Sequence, residues 1–77
     1  MKREIVLIEW ADSKGLQRWE ELDEIEPMPP ETCIAVGFLL DDAPEYKTIA
    51  LSVGITQVLG RTTIPIGAIK RIKRLRY

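Results

Sequence analysis

One cysteine and no histidine in 77 residues leave this chain without a staple. Cys33 cannot close a disulfide within the chain, and the commonest zinc ligand is missing. A chain this short has room for one domain, residues 1–77, and buries only a thin core. Self-association is the remaining way to add buried surface, so a homo-oligomer is expected. The lone thiol suits a buried position in a reducing compartment. The apolar run Ile5 to Ile8 is bracketed by Glu4 and Glu9. A signal peptide needs about seven to fifteen apolar residues, and a membrane span about twenty. The expectation is therefore a cytoplasmic protein with no membrane partner.

The chain reads as short strands separated by turns. Lys2 to Trp10 (KREIVLIEW) is β-branched and continuous, as a strand buried on both faces is. Ala11 to Gly15 has turn composition. In the next segment, LQRWEELDEI, residues Leu16, Trp19, Leu22 and Ile25 recur every three positions. With Asp12 or Ser13 as cap, this predicts a short helix lying across the sheet, ended by Pro27, Pro29 and Pro30. Thr32 to Leu40 and Tyr46 to Val53 form a hairpin around the polar turn 41–45. Gly37 marks a bulge or sharp bend. Arg61 to Ile64 is a fourth strand, and 54–60 fits a loop tip or a strand equally. Ile64 to Ile69 predicts one tight helical turn between two strands. Ile69, Ile72 and Leu75 again recur every three, which suits a helix. A bulged closing strand is preferred, because a barrel needs one. The whole is mostly β with one short helix: about five strands in a small, partly open barrel. The turn before the last strand resembles that of SH3-like and Sm-like barrels.

Three runs taken together, WADSKGLQRW at 10–19, VGFLL at 36–40 and IPIGAIKRIKRL at 64–75, resemble a family of small phage and prophage proteins. The shared pattern is Trp-x-Asp-Ser, then Val-Gly-Phe-Leu, then Ile-Pro-x-x-x-Ile. Gln17-Arg18 stands where that pattern has a glycine. The resemblance implies a phage-type accessory protein and no particular chemistry.

The residues argue against catalysis. Ser13 has no histidine to take its proton, and Lys14 sits beside it in a turn. The carboxylates at 20, 21, 23, 24, 26 and 31 lack the alternate spacing and central glycine of a calcium loop. Gly54 and Gly60 lack the Gly-Lys-Ser/Thr ending of a phosphate loop. No enzyme, metal or cofactor is implied.

Net charge is −1, but its distribution is uneven. Residues 1–45 hold all twelve acids and four bases, a balance of −8; residues 46–77 hold seven bases and no acid, +7. Either the halves neutralise each other within one fold, or the basic half meets an anion. Arg61, Thr62, Lys70, Arg71 and Lys73 are candidate phosphate ligands. Trp10, Asp12, Ser13, Arg18 and Trp19 are candidates for holding a base or ring, the two indoles serving as stacking platforms. The plainer reading puts both tryptophans in the core and the basic run on an edge strand, where lysines resist aggregation. The favoured function is an oligomeric binder that sequesters a small phosphorylated ligand, such as a nucleotide signal, to counter host defence. The alternatives are a protein-interaction or assembly adaptor and an Sm-like nucleic-acid-binding barrel. Nucleic acid is the less favoured partner, because dedicated binders carry a strong basic excess.

Overall fold

The computed structural model describes residues 3–76. The expected first strand began at Lys2, which lies outside them. Five strands follow in order: β1 (Ile5–Asp12), β2 (Glu31–Asp42), β3 (Tyr46–Val53), β4 (Val58–Pro65) and β5 (Ile69–Leu75). They form one open antiparallel sheet in the order β4-β3-β2-β1-β5. Two 3-10 turns, Leu22–Glu24 and Ile66–Ala68, are the helical elements among the described residues.

β2 organises the sheet. Its first half, Glu31 to Phe38, pairs with β1, and its second half, Phe38 to Asp42, pairs with β3. The change of partner comes at Phe38, next to Gly37. A Cβ there would lie 2.8 Å from the Ala50 carbonyl oxygen and 3.2 Å from the Ile49 Cβ. Gly37 is in register with Val6, so it makes no bulge; the register shift falls between Leu39 and Asp41. The missing side chain instead lets β3 cross close over β2.

The sheet must curl. Laid flat, five strands would put the outer two about 19 Å apart. β4 and β5 are joined by the three residues Ile66–Ala68, a link that reaches at most about 14 Å. The curl brings Ile64 of β4 to Val6 and Ile8 of β1 and Ile49 of β3, and these four form the buried core. Trp10, Ala35, Leu39, Ala68, Ile69 and Ile72 pack around it half-buried. Alternation assigns the faces: Val6, Ile8 and Trp10 point inward, while Ile5, Leu7 and Glu9 point outward. β1 is thus fully buried on its inner face and half-covered on its outer one.

β5 is the preferred closing strand, and the structure explains its three-residue repeat. Trp10 pairs with Ile69 and Glu9 with Arg71, so Lys70 is the extra residue of a bulge. That bulge keeps Ile69 and Ile72 on the inner face. Leu75, opposite Ile5, lies on the outer one.

The predicted helix after β1 does not form. Residues 13–30 make a projecting arm whose only regular turn is Leu22–Glu24. Glu21 and Ile25, on either side of that turn, are extended. An α-helix turns 100° per residue, so a strict three-residue stripe would drift about 60° per step around it. Three residues per turn is the period of 3-10 and polyproline II backbone. Glu20, Glu21, Asp23 and Glu24 would also repel one another at helical spacing.

The molecule is elongated. The radius of gyration is 16.2 Å and the long axis 57 Å, against 23 and 22 Å across. A compact chain of this length would have a radius of gyration of about 11.5 Å. The stretch 54–60 resolves into a turn, with the Gly54 amide donating to the Gln57 carbonyl at 2.7 Å, and the start of β4.

The close crossing at Gly37 sets the first test. Gly37→Ala should destabilise the fold by about 1–3 kcal/mol, as overpacking against backbone does. Urea denaturation would show this as a lower midpoint; an unchanged midpoint would mean that β3 does not cross there as described.

Candidate functional site

The ten residues singled out from sequence fall into four places. Trp10, Asp12, Ser13 and Lys70 lie at the arm end of β1. The Lys70 ammonium donates to Thr32 Oγ1 at 2.9 Å, and Thr32 pairs with Ala11, between Trp10 and Asp12. Asp12 Oδ1 accepts from the Ser13 amide at 2.9 Å, a local turn that closes the strand. Trp10 packs against the core, and its Nε1 is buried with no partner among the described residues.

Arg18 and Trp19 are on the arm, away from the sheet. Trp19 is 102% exposed, so it does not pack a helix onto the sheet as expected. Arg61 and Thr62 lie on β4, one edge of the sheet; Arg71 and Lys73 lie on β5, the other. Arg61 borders a shallow depression with Tyr46, Thr48 and Thr63, where the two threonine hydroxyls share a hydrogen bond of 2.8 Å. Asp41 lines the same depression, and its charge opposes an anion there. Of the predicted phosphate ligands, Lys70 lies with the ring candidates Trp10, Asp12 and Ser13, whereas Arg61 and Thr62 lie on β4 and Arg18 and Trp19 on the arm.

Cys33, expected to be buried, is half-buried opposite Trp10. Among the described residues no helix is long and apolar enough to cross a membrane.

The acidic and basic halves meet at one node. Asp42, at the end of β2, takes an ion pair from Lys47 and another from Arg74. Arg74 also pairs with Glu4 at 3.1 Å. β5 is thereby tied across the end of β1 to β2. The hydrogen bond from Lys47 is the main reason that the Asp42 carboxyl sits below its ordinary range. Desolvation opposes it, and the charges of Lys47 and Arg74, with the hydrogen bond from Arg74, add to the lowering. Tyr46 donates to Asp41 at 3.1 Å, and that bond holds its phenol above the usual range.

The other charges are not neutralised in this way. Among the described residues, Arg71 and Lys73 make no ion pair, and neither do Glu20, Glu21, Asp23 and Glu24 on the arm. Arg71 lies opposite Glu9 and Lys73 opposite Leu7, so both share the outer face of the sheet. On that face β2 carries Ile34 opposite Glu9 and Val36 opposite Leu7, exposed by 68% and 52%. The result is an apolar strip with cations along one side.

The arm matches it in reverse. Leu16, Trp19, Leu22, Ile25 and Met28 are all exposed, interleaved with five acids. Leu16, Ile25 and Met28 line one shallow groove, so the arm doubles back on itself. The three-residue spacing of these side chains is visible in the sequence, where it predicts a helix rather than an arm. The outer strip of Ile34 and Val36 was hidden in TCIAVGFLL, where both faces are apolar.

A scan against protein-family models and searches of curated proteins and of solved structures find no match.

The Asp42 node predicts a pH dependence. Its native pKa is lowered, so its contribution is full above the ordinary carboxylate range and is lost as the pH falls through the native value. From about pH 4 downward, the urea midpoint of the wild type should fall more steeply than that of Asp42→Asn. Parallel curves would show that the node does not couple to folding.

Proposed function

We propose that this chain is a non-enzymatic interaction and assembly module whose recognition element is the arm of residues 13–30. The observation that carries the reading is Trp19, fully exposed, beside Leu22 at 87% exposure on a segment that no strand covers. Irregular loops longer than about 12–15 residues are uncommon in compact domains, and those that persist are usually functional or disordered. Contiguous exposed apolar side chains mark contact surfaces, and tryptophan is the residue most enriched among those that dominate binding. The curled five-strand meander, with a 3-10 turn between β4 and β5, supports an SH3-like description of the scaffold. The phage-type assignment rests on the sequence pattern alone.

The test is cross-linking and capture of the tagged chain from the cells that make it. Trp19→Ala with Leu22→Ala should lose most of the captured protein, copies of the chain included, with an unchanged melting temperature. Undiminished capture would refute the reading.

A second reading, sequestration of a small phosphorylated ligand, is supported by Lys70 lying at the same end of β1 as Trp10 and the Asp12–Ser13 turn. Arg61 and Thr62 could join that group only from another chain. Calorimetry against cyclic di- and oligonucleotides tests this. A dissociation constant no tighter than about 10 μM would remove it.

A further inference from the structure

We infer that the partner of the arm is the outer sheet face of a second copy of this chain. The inference rests on the interaction-module reading above and names its partner. Two surfaces of one molecule are complementary in both apolar content and charge. The arm presents Trp19 and Leu22 among Glu20, Glu21, Asp23 and Glu24. The outer face presents Leu7, Ile34 and Val36 beside Arg71 and Lys73, with Glu9 between Ile34 and Arg71. None of these charges is satisfied by an ion pair among the described residues.

The contact forms between chains rather than within one. The arm leaves the sheet at Asp12 and returns at Glu31, and its apolar side chains Leu16, Trp19, Leu22, Ile25 and Met28 are exposed, not packed on the strands. Pro27, Pro29 and Pro30 stiffen its return limb, so it does not fold back over its own root. Reciprocal exchange gives a two-fold dimer with two equal contacts. A standard interface takes about 20–30 residues from each partner. The 18-residue arm together with the face that receives the partner's arm supplies that number.

The bare alternative is a dimer through the β3–β4 hairpin tip, where Leu51, Ile55 and Leu59 are also exposed. No cluster of unpaired opposite charges accompanies that patch, so it offers no complementary pair.

The experiment is a charge swap in the full chain. One variant carries Glu20→Lys, Glu21→Lys and Glu24→Lys; the other carries Arg71→Glu and Lys73→Glu. All five positions are exposed, so thermal melting should confirm that both variants fold. By sedimentation equilibrium, the wild type should dimerise at micromolar concentration. Each variant alone should dimerise at least about tenfold more weakly, since both of its contacts become repulsive. An equimolar mixture should restore the dimer, because each arm then meets a face of opposite charge. In a Trp10→Phe background, Trp19 emission should shift to the blue over the same concentration range.

A wild type that stays monomeric at about 100 μM would overturn the inference. So would a dimer that neither reversal weakens, or a blue-shifted Trp19 in a monomer, which would place the arm on its own face. If the wild type is monomeric and Trp19→Ala still abolishes capture of another protein, only the self-contact fails. If Trp19→Ala changes neither mass nor capture, the module reading fails with it.

Discussion

Everything in this molecule depends on the close approach of β3 to β2 at Gly37, beside the point where β2 changes partners. The strand is long enough to serve two ladders, and the absent side chain lets β3 pass within contact of its backbone. Without that crossing, Ile49 and Ile64 could not reach Val6 and Ile8, and the sheet would have no inside. Four aliphatic side chains from three strands then suffice for a core, because the curl wraps both ends of the sheet around them. A larger residue at this position would press on the Ala50 carbonyl and on the side chain of core residue Ile49 together.

The charge asymmetry is resolved in two ways. Asp42 gathers Lys47 and Arg74, and Arg74 adds Glu4, so part of the acidic half does neutralise part of the basic half. The remainder is segregated in space. The arm holds unpaired acids and the outer face of β5 holds unpaired bases. Apolar side chains accompany both, so contact between these surfaces would bury hydrophobic area and satisfy charge together. Solvated charges alone would not call for a partner; charges set beside an uncovered tryptophan do.

Much of the sheet was legible in the residues. β3 has its expected bounds, the 3-10 turn lies where Ile64-Pro65-Ile66-Gly67 implied, and β5 is a bulged strand at the edge of an open sheet. Local chemistry decides such features: β-branched runs, prolines and glycines. The arm was not legible as an arm. Leu16, Trp19, Leu22 and Ile25 carry the spacing of a short amphipathic helix, and nothing local says that the sheet will leave them uncovered. The predicted site was dispersed for a related reason. Its members were spread over β1, β4, β5 and the arm, and which of these elements lie side by side depends on strand order and on the path of the arm.

The sequence by itself determined that this chain is built of short strands around a small aliphatic core, with no disulfide available to hold it. It also determined that acid comes before base along the chain. Only the tertiary structure decided which faces those charges share, and that Trp10 turns inward while Trp19 stands clear. The reason is that alternation and turn chemistry act over a few residues. Burial, by contrast, is settled by which strand packs over which, through contacts between residues far apart in the chain.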